Sequence, residues 1–396
     1  MLTRVEIKNY RSLRDVSLEM KGLTVLIGPN GCGKSNFLDV FALMSEAAQG
    51  QFQNGILRRG GDELLFQGAM SHDDIELYFT WNPRSGTPTM DLWWSPQVRK
   101  HGLEFNYKLY FNCHFLLGIV FEQLTVLRSG KEHLVVDRQP GNIVSFINWR
   151  GDSIDNSTIA KNELAIFQVK DGNNYPYPYD TLRNLQEWQL YRPFAVERDA
   201  PVRTAKYARH NFRLNPDGGG LSPVLHAIQS NYPAVWQDIK EVLQTAYPDL
   251  SEITFPSSGG DGKVLLRWFE KPFGTGISAN FLSDGTMRFL ALLAILKSPE
   301  PPPLICIDEP EVGLHPDWIR IVAELLESAA TRTQVIVSTH SPELVSHVAP
   351  EHVVVCEKHD GETTMERLSA DELADWLKKF RLGDLWKSGH LGGRAW

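Results

Sequence analysis

Three short apolar runs, each ending on polar residues, set the frame of this chain: Leu23-Thr-Val-Leu-Ile27, Pro303-Leu-Ile-Cys-Ile307 and Gln334-Val-Ile-Val337. Unbroken apolar stretches of this length predict strands buried on both faces, as in a parallel sheet. After the first run, Asn36-Phe-Leu-Asp-Val-Phe-Ala-Leu-Met44 repeats its apolar residues at helical spacing, and Met287–Leu296 reads as a strongly apolar helix. The opening, Met1–Lys8, alternates as a strand. So do Ile75–Trp81, Glu104–Phe111 and Phe121–Leu127, with turn chemistry such as 82–88 between them, and these predict an antiparallel β-subdomain. Helices are expected near Asp180–Tyr191, Ser222–Asn231, Ala234–Ala246 and Ala370–Phe380, and a strand at Val264–Phe269. Neither an internal repeat nor a low-complexity tract interrupts this order. No apolar heptad persists between Asn36 and Phe281, and Pro176, Pro178, Pro193, Pro201, Pro216, Pro223 and Pro233 exclude one long coiled coil.

A composition of 42% hydrophobic and 22% charged residues is that of a globular protein with its own core. The N-terminus mixes charges into its strand, so no export signal is expected, and Phe115–Phe121 is too short to cross a bilayer. A soluble cytoplasmic protein follows. Cys32, Cys113, Cys306 and Cys356 are widely separated, form no C-x-x-C pair, and are expected to be reduced. The net charge of −8 disfavours a whole-surface polyanion binder and leaves local basic patches open.

The polar ends of the apolar runs carry the chemistry. Gly28-Pro-Asn-Gly-Cys-Gly-Lys34-Ser35 fits G-x-x-x-x-G-K-[ST] between a strand and a helix, where backbone N–H groups cradle phosphates, Lys34 reaches the β- and γ-phosphates, and Ser35 ligates magnesium. Asn30, Gly31, Gly33, Lys34, Ser35 and Asn36 are therefore the nucleotide contacts expected here. Asp308 would hold magnesium through water, and Glu309 would polarise the attacking water as general base. His340, at the tip of the third run, can donate a hydrogen bond to a γ-phosphate oxygen and so sense ATP against ADP. Ser283 and Gly285 lie in a small-residue turn leading into the Met287–Leu296 helix, a second anion-binding device.

This ordered set resembles the ATPase head of the ABC superfamily, in its soluble SMC, RecF and OLD-like branch. The likeness covers about residues 1–70 and 276–360. It implies an α/β P-loop fold with a mainly parallel core sheet, an antiparallel β-subdomain and an inserted helical lobe. Residues 1–167 with 297–396 would form the nucleotide-binding lobe, and 168–296 the helical lobe. By resemblance, Leu282-Ser-Asp-Gly-Thr286 is the signature motif, with Asp284 where many such proteins carry glycine. Glu311–Pro316 is the D-loop region, His340 the switch histidine, and Arg11, in Tyr10-Arg-Ser12, a phosphate contact. Gln168 is the expected Q-loop residue, touching nucleotide and metal, with Gln67 as its competitor. ATP and magnesium are the implied cofactors. Two copies would sandwich two nucleotides, with Ser283 acting in trans, as a homodimer or a higher oligomer built on it.

Two biological roles stay open. Likeness to OLD-like and abortive-infection ATPases implies phage defence through a separate effector protein, while likeness to RecF implies DNA repair. DNA contact would fall on Arg58-Arg59 or on Arg192, Arg198, Arg203, Lys206, Arg209 and Arg213, with Tyr207, His210 and Phe212 interleaved; solvated loops explain both equally. The Gly- and Trp-bearing tail, 380–396, would serve an interface or pack on the head's own core. No nuclease constellation is seen, and no acidic nuclease domain is expected after His340.

Overall fold

The computed structural model describes all residues except 71–72, 83–93, 96–97, 99–102, 114–117, 140–143, 149, 157–158, 209–211, 258–261 and 393–396. Most of the turn expected at 82–88, Arg209, His210 and the extreme tail thus lie outside the described residues.

The three apolar runs become neighbouring strands of one six-stranded sheet. Its order is Gln189–Tyr191, Leu304–Asp308, Gln334–Ser338, Leu23–Ile27, Val353–His359, Glu362–Arg367. All neighbours run parallel except the last pair. The sequence pattern follows from the packing: Leu26, Cys306, Ile336 and Val354 point into one core, whereas Val25, Ile27, Ile305, Ile307, Val335 and Val337 point into another. Both faces are dry, so no polar alternation survives.

An eight-stranded antiparallel sheet holds Leu2–Tyr10, Leu13–Glu19, Ile75–Trp81, Glu104–Asn112, Gly118–Arg128, Lys131–Arg138, Val144–Ile147 and Ser153–Asn156. Strand Ile75–Trp81 alternates buried and half-buried residues along its whole length, the signature of a sheet with one covered face. Helix Lys34–Ala48 fills the space between the two sheets. Phe37 and Phe41 stack edge to face at 5.3 Å, and Phe41 meets Phe79 of the antiparallel sheet at 6.2 Å. The loop that opens this helix is thereby fixed to both sheets at once.

The opposite face of the parallel sheet is covered by helices Leu221–Asn231, Pro233–Ala246, Asp284–Leu296 and Pro316–Ala330. Leu182, Leu185 and Trp188 belong to the first core, and residues from Leu221 to Leu296 share the second with residues from Ile321 to Leu391. The tail joins that second core: Trp386 is fully buried, and a Cβ on Gly383 would stand 1.9 Å from Pro342 O. Trp376 and Phe380, in contrast, are half exposed. No helix among the described residues is long and apolar enough to cross a membrane.

Two expected elements differ. The helix expected over 180–191 spans Pro176–Gln186, and Gln189–Tyr191 instead pairs with Ile305–Ile307 as an edge strand. The strand expected over 264–269 is split: Lys263–Val264 pairs with Lys206–Tyr207, and Arg267–Glu270 with Leu250–Thr254.

Candidate nucleotide site

The strand ends bring Ser35, Asp308, Glu309 and His340 together. Ser35 Oγ donates to Asp308 Oδ1 at 3.4 Å, and Ser338 Oγ donates to the same oxygen. Glu309 takes a left-handed backbone, φ 49°, and its N–H donates to Ser338 O at 3.0 Å. A non-glycine residue there costs on the order of 1–3 kcal/mol and persists only where its surroundings hold it. Glu309 Oε1 lies 3.5 Å from His340 Nε2. Glu311 anchors the histidine by accepting from His340 N at 2.8 Å and Thr339 Oγ1 at 2.7 Å.

Lys34 is 5% exposed, and its Nζ donates to Gly28 O at 2.8 Å and Pro29 O at 2.9 Å. The ammonium is therefore held within its own loop, one side-chain rotation from the concave face. Gly33, φ 106°, is crowded by Thr363 Oγ1, 2.3 Å from where a Cβ would stand, so the loop closes only on glycine. Thr363 in turn donates to Cys32 O at 2.8 Å. Ser12 Oγ accepts from Asn36 Nδ2 at 2.8 Å and lies at hydrogen-bond distance, 2.8 Å, from Thr363 Oγ1, to which it can donate. Arg11 Nη1 donates to Asn36 Oδ1 at 3.4 Å, so the opening turn flanks the first turn of the loop's helix.

Burial, followed by the Lys34 ammonium, holds the His340 imidazole below its ordinary 6.5, although Glu309 and Asp308 oppose this. His340 is thus neutral at pH 7, with one N–H to donate. Activity at this site is expected to be flat from pH 7 to 9 and to fall only on the acid side of 6.5, where protonation of His340 adds a positive charge to the cluster. A pH profile of kcat checks this, and His340→Gln should remove the acid limb.

Gln168 is not part of this cluster. Its Nε2 donates to Glu163 Oε2 at 2.8 Å, and its neighbour Phe167 packs on Gly50, beyond the C-terminal end of the loop's helix. That helix has 15 residues, with Lys34 at its first position and Gly50 just past its last. The Gln67 alternative is better placed: it lines a cleft of about 580 Å³ with Arg11, Ser12, Asn36 and Lys358.

Ser283 caps helix Asp284–Leu296 by accepting from Thr286 N at 3.1 Å, and it faces outward. Its turn is braced by Arg203, which is 3% exposed and donates to Ala279 O at 2.6 Å, Leu282 O at 2.8 Å and Asp284 Oδ1 at 2.7 Å. Arg203 is therefore not an external phosphate contact. Its charge balances Asp284, the residue that departs from the usual signature. Arg192 binds Asp39 at 2.7 Å, Arg213 binds Glu187, and Arg59, 8% exposed, binds Asp39 at 3.0 Å and Glu46 at 2.6 Å. Arg59 and Arg203 are thus turned inside the fold, while Arg192 and Arg213 hold carboxylates and stay partly exposed. Gly285 abuts the D-loop: a Cβ there would lie 2.9 Å from Gly313 O. Gly285→Ala is expected to weaken the packing of this turn against Gly313 by about 1–3 kcal/mol, lowering both the melting temperature, by a few degrees, and turnover.

Ser338 and Thr363 gave no signal in the sequence, and Asp39 gave only a faint one. Asp39 lies one helical turn beyond Ser35, a spacing that places both on one side of the helix, and this was its only trace.

Residues 1–186 match a family model described as "AAA ATPase domain", and residues 165–346 one described as "AAA domain, putative AbiEii toxin, Type IV TA system". The chain is 26% identical over 153 residues to the "Retron Vc95 probable ATPase" of Vibrio cholerae serotype O1 biovar El Tor, covering 38% of this chain and 29% of that protein. It is 25% identical over 407 residues to the "Old nuclease" of Escherichia phage P2, covering 96% of this chain and 62% of that one. The chain thus spans less than two thirds of either relative. Among solved structures it resembles the "SmcHead bound to the C-winged helix domain of ScpA", with a TM-score of 0.57 at 14% identity, covering 94% of this chain and 99% of that one.

Proposed function

We propose that this chain, which matches AAA ATPase family models and has the fold of an SMC head, is an SMC- and OLD-like ABC-type ATPase that binds ATP with magnesium at the Gly28–Ser35 loop, hydrolyses it, and pairs with a second copy while ATP is bound. The observation that carries this reading is the convergence of Ser35, Asp308, Glu309 and His340 at the ends of neighbouring parallel strands. Ser35 Oγ and Asp308 Oδ1, side by side at 3.4 Å, are hard oxygen donors of the kind magnesium takes, and these two residues would hold it. Bound magnesium neutralises charge that builds on the transferred phosphoryl group. Lys34 turns from its loop carbonyls to the β- and γ-phosphates, Asn30, Gly31 and Gly33 offer backbone N–H groups, and Arg11 supports the loop through Asn36. Glu309 accepts a proton from the attacking water, and His340 donates to the γ-phosphate. Ser283 and Gly285, on an outward-facing helix start, close over the nucleotide of the second copy.

The ATP-gated pair would act as a switch on a separate effector protein. Likeness to a retron ATPase and to a family model named for a toxin of a toxin–antitoxin system supports a role in anti-phage defence. Calorimetry and sedimentation test the core of this reading. One ATP should bind per chain with magnesium, a dimer should form with ATP, and a monomer should remain with ADP; absence of nucleotide uptake would refute it.

A DNA-bound repair ATPase is the second reading, favoured by a cavity of about 360 Å³ lined by Lys206, Tyr207, Arg213 and Lys263. DNA-stimulated turnover that disappears in the Lys206→Glu, Lys263→Glu double variant would favour it over the effector switch.

A further inference from the structure

Two cysteines that lie 324 positions apart in the sequence meet at the phosphate loop. Strand Val353–His359 pairs in parallel with Leu23–Ile27, Val355 opposite Ile27, and this register sets Cys356 beside Gly28. Gly28, φ 145°, is the window between them. A Cβ on Gly28 would stand 2.9 Å from Cys32 Sγ and 2.1 Å from Cys356 O, so only glycine leaves room for the Cys32 side chain to reach the strand. Both cysteines belong to the same buried core, where the Cys356 thiol, which donates to Val354 O at 3.9 Å, lies near enough to act on the Cys32 sulfur. Lys34 Nζ donates to Cys32 Sγ from 3.7 Å, bringing a positive charge to the sulfur.

From this geometry we propose that Cys32 and Cys356 form a modification site for small hydroperoxides, whose product, a Cys32–Cys356 disulfide, locks the phosphate loop against nucleotide. Only the consequence for nucleotide rests on the functional reading above; the thiol chemistry stands without it.

The nearby Cys356 thiol holds the Cys32 thiol down to about 6; burial opposes this, and Lys34 assists. Cys356 is pushed up by its nearness to Cys32 and by burial, so the pair has one nucleophile and one proton source. The Cys32 thiolate attacks a peroxide oxygen: an S–O bond forms, the O–O bond breaks, and the departing hydroxide or alkoxide takes a proton. Cys356, having lost its proton, then attacks the Cys32 sulfur. An S–S bond forms, the S–O bond breaks, and hydroxide leaves as water once protonated. Two thiols are oxidised, and one hydroperoxide is reduced to water plus water or alcohol. Both sulfurs are buried, yet Asn30 and Gly31 just above Cys32 are exposed, and a Cβ on Gly31 would meet no atom within 4 Å. A water-sized oxidant therefore needs little loop movement to enter. The disulfide would draw the sulfurs to about 2 Å and tie residue 32 to the sheet. Residues 31–34 could then no longer wrap a phosphate, and Lys34 would lose its thiolate partner.

The test uses the full reduced chain, a few equivalents of hydrogen peroxide, and non-reducing peptide mass spectrometry. A linked Cys32–Cys356 peptide should dominate, and ATP uptake should fall at least tenfold and return with dithiothreitol. Cys113 and Cys306, whose thiols burial pushes up, are internal controls and should stay unmodified. In Cys356→Ser, checked for folding by circular dichroism, oxidation should stop at a dimedone-reactive Cys32. Absence of the linked peptide in the wild-type chain, or its formation with ATP uptake unchanged, overturns the proposal. A linked peptide in a chain whose reduced form takes up no ATP upholds the thiol site and refutes the nucleotide reading instead.

Discussion

Glu309→Gln is expected to bind ATP as well as the wild-type chain and to hydrolyse it on the order of 10²–10⁴ times more slowly, the usual range for loss of a positioned general base. The backbone at this position is fixed independently of the side chain. Its N–H donates to Ser338 O at 3.0 Å, and strand Leu304–Asp308 is locked between two parallel neighbours. Glutamine has nearly the same shape, so it keeps the left-handed turn and the approach to His340 Nε2, but it cannot take a proton from water. The half-exposed carboxylate, 36% accessible, leaves room for a water between it and a phosphate. In the proposed sandwich, hydrolysis removes the bridge between copies, so the variant should also accumulate as a dimer under ATP and magnesium. Steady-state phosphate release and sedimentation read both outcomes. Turnover within a factor of three of wild type would show that another group activates the water. Full loss of turnover with no dimer would separate the catalytic role of Glu309 from the pairing.

The elements that hold this site were readable because their packing leaves a local mark. Leu23–Ile27, Leu304–Asp308 and Gln334–Ser338 are dry on both faces, and this produces continuous apolar runs that stop where the backbone meets solvent and phosphate. The alternation in Ile75–Trp81 and Glu104–Asn112 likewise reports one covered face. Long-range partnership leaves no such mark. Gln189–Tyr191 has only three residues, and its pairing with Ile305–Ile307 is set by the distant strand, so the chain there reads as a continuing helix. Arg203 looks like any exposed loop arginine until the carbonyls of Ala279 and Leu282, more than 70 residues away, close around it. Gln168 shows the converse: motif order suggested a role, whereas its side chain is held by Glu163 and its neighbour Phe167 packs past the far end of the loop's helix.

Asp39→Asn should lower the stability of the fold by about 3–5 kcal/mol at pH 7, the range seen when one partner of a buried ionic cluster is removed. Asp39 is buried, its side chain 3% exposed, and four groups converge on its carboxylate. The Tyr10 hydroxyl donates to Oδ2 at 2.8 Å, Arg59 Nε to Oδ2 at 3.0 Å and Arg192 Nη2 to Oδ1 at 2.7 Å, while Arg11 Nη1 lies 3.4 Å away. Burial pushes the carboxyl up, but Arg59, the Tyr10 hydroxyl, Arg11 and Arg192 more than reverse it, leaving Asp39 below its ordinary 3.8. A folded-state value below the unfolded one means that the ionised cluster stabilises the protein above about pH 4, and that this stabilisation is lost as pH falls through the folded value. The variant and wild type should therefore differ most at neutral pH and converge under acid. Urea midpoints at pH 7 and at about pH 2.5, below the unfolded value, measure this directly. Arg192→Met is the control: its side chain is 56% exposed, so its removal should cost less than about 1 kcal/mol. An Asp39→Asn penalty that stays the same at both pH values would assign the effect to hydrogen-bond geometry instead of charge. The same variant should raise the Kd for ATP, because Asp39 fixes Arg11 beside Asn36 and ties the first turns of the phosphate-loop helix to Arg192.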